Sequence, residues 1–141
     1  MPMEHEELTF KIIGCAMQVH RTLGNRFHEV IYQRALAIEM QFPIPEFERE
    51  KSMNIYFRHF DIDTRSVDFI VENSIMVEIT ATSQLDDIQL NQAGNYLEAY
   101  NVKVGLLINL GANSLQFKRV HNNKINFSIN QENHGTDKNR N

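Results

Sequence analysis

The chain has 141 residues, a length that suits one domain and leaves little room for a second. Its 14 basic and 18 acidic side chains give a formal charge of −4, which argues against nucleic-acid binding through the whole surface but not through a local patch. The single cysteine, Cys15, excludes a disulfide framework and a cysteine-based zinc cluster. No signal peptide is recognisable, and no apolar run approaches the ~18 residues of a membrane span, so we expect a cytoplasmic protein with no membrane contact.

The first half of the chain is typical of two helices followed by three strands. Apolar residues at helical spacing predict helices over residues 6–23 and about 27–41. Alternation of apolar and polar residues then predicts strands around 53–57 and 67–71, and an apolar run predicts a third strand over 74–81.

The second half predicts a crossover helix and two more strands. Residues 85–100 return to helical period, residues 102–109 are almost wholly apolar, as in a central strand buried on both faces, and residues 115–120 alternate like a strand nearer the edge. The predicted fold is α/β, with a mixed sheet flanked by helices. We expect one domain over 1–121 and a polar, Asn-rich, partly disordered tail over 122–141. The apolar helix positions that we expect to be buried include Phe10, Met17, Val30, Ile38 and Ile88.

Two carboxylates interrupt the apolar strands, where a charge is costly unless something pairs with it. A hairpin turning at residues 72–74 makes cross-strand residue numbers sum to about 146, which places Asp68 opposite Glu78 with Cβ atoms ~5 Å apart. Like charges at that distance repel unless a divalent cation lies between them, and hard oxygen ligands suit Mg²⁺ or Mn²⁺. The alternative is that one carboxylate points to solvent or pairs with Arg65 or Arg58.

Polar residues on the second and third helices share faces that could line the same edge of the sheet. Glu29 and Tyr32 are three residues apart, Gln92 and Tyr96 are four apart, and Gln89 precedes Gln92 by one turn. Local packing and hydrogen bonding remain the alternative for each pair. The chain lacks the histidine spacing of zinc hydrolases and the glycine-rich loops that hold nucleotides.

Four segments, taken in order, carry a family resemblance over about residues 6–121. They read IIGCAMQVHRTLGNRFHEVIYQRALAIEM, RSVDFIVENSIMVEITA, QAGNYLEAYNVKVGLLINLG and LQFKRV. Together they resemble the GxxExxY family, a small bacterial group in the PD-(D/E)XK nuclease superfamily. The resemblance implies a restriction-endonuclease-like αβββαβ core and hydrolysis of phosphodiester bonds in nucleic acid, with Mg²⁺ or Mn²⁺ as cofactor.

The resemblance also implies roles for individual residues. Glu29 and Tyr32 match the E and Y of the family name, Asp68 and Glu78 match the acidic residues of the superfamily motif, and Gln92 and Tyr96 match a QxxxY helix beside the site. The implied catalytic set is Glu29, Asp68, Glu78, Thr80, Gln92 and Tyr96. Within it, the implied metal ligands are Glu29, Asp68 and Glu78. The implied substrate contacts are Arg26, Tyr32 and Gln89.

Three positions depart from the family pattern. Arg26 replaces a glycine, Gln89 replaces a histidine, and Thr80 replaces the motif lysine. Loss of a charge-stabilising group commonly costs about two to three orders of magnitude in rate. Two hypotheses therefore stay open: a metal-dependent nuclease that is weakened or uses a displaced cation, for which Arg26 is a candidate, and an inactive relative that binds nucleic acid or a protein partner. A structural dimerisation module is a third reading, and substrate, pathway and homodimer formation stay open in all of them.

Overall fold

Three helices and five strands make up residues 5–124, the part of the chain that the computed structural model describes. In chain order they are α1 (His5–Leu23), α2 (Glu29–Met40), β1 (Phe47–Phe57), β2 (Phe60–Val71), β3 (Ile75–Thr80), α3 (Asp87–Tyr100), β4 (Val104–Asn109) and β5 (Gln116–His121). This order confirms the predicted α-α-β-β-β-α-β-β arrangement. The division at residue 121 stays a prediction, and residues 125–141 of the predicted tail lie outside the described part.

The sheet is mixed, in the order β1-β2-β3-β4-β5, with β3 and β4 parallel and the other neighbours antiparallel. The β2–β3 hairpin has the predicted register, since Phe69 pairs with Val77 and Val71 with Ile75. Its turn contains Glu72 and Asn73 with φ of 52° and 56°, the left-handed backbone that a tight hairpin turn requires. Helix α3 makes the crossover that joins the parallel pair.

Apolar side chains form a layer on each face of the sheet. The larger layer joins α1 and α2 to alternate strand residues such as Val77, whereas the smaller layer joins Met76 to Leu97 of α3. Strand β4 is buried at all six positions, which confirms the predicted central strand, and β5 lies at an edge as predicted. Within residues 5–124, no helix combines the length and hydropathy that a membrane span requires.

The predicted burial was wrong for several apolar helix residues. The exposed ones are Phe10, Met17, Val30, Ile38 and Ile88. The reason is that each helix buries only one stripe against the sheet. Helix α2, for example, buries Tyr32, Leu36 and Met40 at intervals of four residues, which turns Ile38 outward.

A buried asparagine, Asn109, holds the loop that follows β3. Its Oδ1 accepts hydrogen bonds from the backbone N–H of Thr82 (2.9 Å) and Gly111 (3.0 Å), and its Nδ2 donates to Thr82 O (3.0 Å) and Gln116 Oε1 (3.0 Å). Gln116 Oε1 also accepts from Leu85 N at 2.8 Å. Gly111 permits this approach, because a Cβ there would lie 2.5 Å from backbone atoms of the loop. The network fixes the path from β3 into α3.

Candidate active site

Asp68 lies where the β2–β3 ladder ends. The paired residues of β2 against β3 run over 69–71, so Asp68 is the next residue beyond them. Its Oδ2 accepts a hydrogen bond from the backbone N–H of Ile79 at 2.7 Å, and its Oδ1 accepts one from Gln33 Nε2 at 2.7 Å. The carboxylate thus replaces a backbone acceptor at the point where the two strands separate, and α2 fixes its orientation.

Glu78 projects from β3 beside Asp68 as a largely buried acid. Its side chain is 15% exposed, and its Oε1 accepts a hydrogen bond from Arg65 Nη2 at 3.1 Å. The pKa of Glu78 is raised to about 7, chiefly by burial and also by the neighbouring Asp68 carboxylate, against the lowering effect of Arg65. The second oxygen, Oε2, is buried and makes no hydrogen bond of good geometry in the described part of the chain, although the carboxylate interacts with the Asp68 backbone N–H. Glu78 therefore has an oxygen available for a ligand.

Arg65 links this carboxylate to helix α3. Its guanidinium carbon lies 3.9 Å from the centroid of the Tyr96 ring, which stacks on Tyr100 at 5.7 Å with an interplanar angle of 14°. Burial alone would lower the pKa of Arg65, but the Glu78 carboxylate raises it above its ordinary value. The pairing of Glu78 with Arg65 was the alternative to a metal site in the sequence, and the structure contains it.

Thr80 and Gln89 form a second hydrogen-bonded pair at the start of α3. Gln89 completes a capping box with Asp86: its backbone N–H donates to Asp86 Oδ1 (2.8 Å), and its Oε1 accepts from Asp86 N (3.1 Å). Gln89 Nε2 donates to Thr80 Oγ1 at 3.3 Å, and Thr80 itself is buried. Both polar ends of Gln89 are therefore engaged within the protein, which gives it a positioning role.

The predicted metal ligands are not all brought together. Glu29 is exposed at the first residue of α2, whereas Asp68 and Glu78 are neighbours in the sheet. Among residues 5–124, no group of three or more His, Cys, Asp or Glu side chains is placed to hold a metal ion. The three-carboxylate set therefore stays a prediction, and Asp68 and Glu78 are the two of its members that the structure shows as neighbours.

The remaining predicted residues occupy three different settings. Tyr32 is fully buried, and its hydroxyl donates to Gly24 O (2.7 Å) and accepts from Phe27 N (3.2 Å), so it fixes the α1–α2 connection and has no surface for a substrate. Arg26 in that connection and Gln92 on α3 are both exposed. Tyr96 lies within the site through its contact with Arg65.

Sequence reasoning missed the part that Gln33 plays. Gln33 is 6% exposed, lies beside Asp68, and has a buried Oε1 that lacks a partner among the described residues. A signal was present, because Gln33 follows Glu29 by one helical turn and interrupts the apolar stripe of α2. The sequence alone does not show which of the two polar residues faces the sheet.

Unsatisfied polar atoms are concentrated at this site. Five side-chain atoms in residues 5–124 are buried without a hydrogen-bond partner, and four of them belong to residues described above. These four are Gln33 Oε1, Arg65 Nη1, Glu78 Oε2 and Tyr100 Oη; none makes a hydrogen bond of good geometry, although the Arg65 guanidinium and the Tyr100 hydroxyl interact with each other. Because buried polar atoms are normally hydrogen-bonded, such a cluster favours a bound ligand or ordered water at this place. The oxygens of Asp68, Glu78 and Gln33 are hard donors of the kind that divalent cations prefer.

Comparisons with known proteins agree with this architecture. A family model described as the PD-(D/E)XK nuclease superfamily matches residues 6–120. No curated protein matches the sequence. The chain is similar to the crystal structure of SSO0001, with a TM-score of 0.51 and 15% identity over 72% of this chain and 54% of that one. The chain therefore spans about half the length of that solved protein, and a likeness at this level of identity shows the fold alone.

Proposed function

The chain belongs to the PD-(D/E)XK nuclease superfamily, and we propose that it is a GxxExxY-type member that hydrolyses phosphodiester bonds in nucleic acid with a divalent cation. The observation that carries the proposal is the pair Asp68 and Glu78 at the point where β2 and β3 separate. The Oε2 atom of Glu78 supports the proposal, since it is buried and makes no hydrogen bond of good geometry in the described part of the chain. Nucleic acid is the proposed partner and the cytoplasm the proposed location.

Asp68 and Glu78 are the residues that would hold Mg²⁺ or Mn²⁺. Two carboxylates suffice, because Mg²⁺ commonly takes one or two from the protein and fills its other positions with water and substrate phosphate. When bound, the cation supplies charge stabilisation for phosphoryl transfer. Gln33 and the backbone N–H of Ile79 hold the Asp68 carboxylate in place, so its position is set before any ligand arrives.

The site lacks a positive charge where the superfamily motif has lysine. Thr80 offers only a hydroxyl, and that hydroxyl already accepts a hydrogen bond from Gln89. Arg26, the other candidate for this charge, is exposed in the α1–α2 connection, and the ion pair at the site involves Arg65 instead. We therefore propose a slow enzyme, with a rate about two to three orders of magnitude below that of a lysine-containing site.

A second candidate function is favoured by one observation. Arg65 donates a hydrogen bond to Glu78, and Gln89 donates one to Thr80. Two motif positions are therefore bound to other side chains of the protein. A relative that has lost catalysis and binds nucleic acid or a protein partner would have the same contacts.

The deciding experiment measures cleavage of labelled single- and double-stranded DNA and RNA with Mg²⁺ or Mn²⁺. We expect slow cleavage by the wild type, none by Glu78→Gln, and wild-type cleavage by Glu48→Gln, which makes the same change at an exposed position of β1. Thr80→Lys should raise the rate. Inactivity of both the wild type and Thr80→Lys on all four substrates would contradict the enzyme proposal and favour the binding module.

A further inference from the structure

Arg65 is the cation that neutralises Glu78 in the structure. The ion pair is shielded, since the two side chains are 29% and 15% exposed, and one face of the guanidinium is covered by the Tyr96 ring at 3.9 Å. Charges that are removed from water interact more strongly than surface charges and are screened less by salt. Glu78 and Arg65 are thus a firmly held pair.

The two oxygens of Glu78 differ in what they contact. Oε1 accepts the hydrogen bond from Arg65, whereas Oε2 is buried and makes no hydrogen bond of good geometry within the described residues. The two oxygens share one carboxylate charge. A dication that used Oε2 would therefore lie close to the guanidinium, and the two positive groups would repel each other. Metal binding at Glu78 must either weaken the ion pair or displace Arg65.

We propose that Arg65 and a divalent cation compete for the Glu78 carboxylate, so that Arg65 sets the metal concentration at which the site fills. This inference rests on the proposed metal site of Asp68 and Glu78. It assigns Arg65 a role in tuning metal affinity, through its contact with Glu78. Tyr96 contributes by holding the guanidinium in place, because a planar cation stacks on an aromatic ring.

The competition has a measurable consequence for Arg65→Gln. Glutamine keeps a hydrogen-bond donor and removes the positive charge, so we expect Mn²⁺ to bind about tenfold more tightly than to the wild type. Arg65→Lys keeps the charge but loses the planar contact with Tyr96, so we expect binding about threefold tighter than wild type. The matched control is Arg58→Gln, which makes the same change at the exposed turn between β1 and β2 and should leave the affinity unchanged.

The experiment is calorimetric titration of the full chain with Mn²⁺ at pH 8, where proton competition for the Glu78 carboxylate is reduced, without nucleic acid and after circular dichroism has established that each variant is folded. Tighter binding by Arg65→Gln, with Arg58→Gln equal to wild type, supports the competition. If Arg65→Gln does not fold, the threefold gain of Arg65→Lys is the supporting result. Equal or weaker Mn²⁺ binding by the folded Arg65 variant overturns the inference but leaves the proposed metal site intact, provided that Glu78→Gln abolishes binding. Absence of Mn²⁺ binding in every protein overturns both.

Discussion

Glu78 and Asn109 lie on neighbouring parallel strands, yet their polar surroundings differ completely. In the β3–β4 register Glu78 pairs with Leu107 and Thr80 with Asn109. Asn109 therefore lies two residues further along the paired strands than Glu78. Asn109 has both side-chain ends fully bonded to Thr82, Gly111 and Gln116. Around Glu78, in contrast, several buried polar atoms of the described chain lack a partner.

This difference distinguishes Asn109, a polar group with a structural role, from Glu78, a polar group that we propose binds a ligand. A buried network in which each group is satisfied stabilises one conformation, and the loop held by Asn109 is such a case. A buried cluster with unpaired polar atoms lowers the stability of the free protein, and a bound group that pairs with those atoms offsets the loss. Substitutions should therefore destabilise the protein at Asn109 and alter ligand binding at Glu78.

The largest effect is expected for Asn109→Leu. The substitution leaves the partly buried backbone N–H groups of Thr82 and Gly111 without their acceptor, and each lost partner costs about 1–3 kcal/mol. We expect the free energy of unfolding to fall by about 4 kcal/mol in urea denaturation monitored by circular dichroism. Asn95→Leu on the exposed surface of α3 is the control. A loss below about 1 kcal/mol would show that the network is dispensable.

The pH dependence of stability should reveal the buried carboxyl group. Because the pKa of Glu78 rises from 4.5 in the unfolded chain to about 7 in the folded one, the folded state binds this proton more tightly. The contribution is complete below pH 4.5 and is lost as the pH rises to about 7, with an upper limit of about 3 kcal/mol. Urea denaturation at pH 5 and pH 8 measures it. Glu78→Gln should remove this part of the pH dependence. If wild type and variant differ in their free energy of unfolding by the same amount at pH 5 and pH 8, the expectation is contradicted.

Stabilisation by Mn²⁺ should show the opposite pH trend. A cation binds the ionised carboxylate, so added Mn²⁺ should raise the melting temperature more at pH 8 than at pH 5.5. At a Mn²⁺ concentration of about 100 times its dissociation constant, we expect about 2–3 kcal/mol of stabilisation at pH 8. Differential scanning fluorimetry with an EDTA control measures this shift. The proposed site predicts that Glu78→Gln is insensitive to Mn²⁺ at both pH values.

The smallest effect is expected for Tyr100→Phe. The hydroxyl is buried and interacts with the Arg65 guanidinium without a hydrogen bond of good geometry, so its removal costs little and keeps the ring stacked on Tyr96. We expect the free energy of unfolding to change by less than about 0.5 kcal/mol, or to rise slightly. A loss of more than about 1 kcal/mol in urea denaturation would mean that the hydroxyl makes a bond in solution and that the contrast with Asn109 is weaker than we infer.

The sequence predicts the sheet better than it predicts the site. The hairpin turn and alternation of β2 and β3 were enough to predict the register, and the length of the apolar run predicted β4 as a central strand, because both depend on local pattern. Which side of α2 meets the sheet depends on tertiary packing, so the buried Gln33 was missed while Glu29 was favoured. The position of Arg65 over Tyr96 likewise depends on how α3 crosses the sheet.

The capping box at the start of α3 constrains how the motif lysine could return. Gln89 uses its Oε1 for the helix cap and directs its Nε2 toward position 80, so a lysine there would place two donors face to face. Rotating the Gln89 amide would present the oxygen to the lysine but leave the Asp86 N–H without its acceptor. Positions 80 and 89 are therefore epistatic: a lysine at 80 raises the rate by itself but reaches its full effect only together with an acceptor such as glutamate at 89.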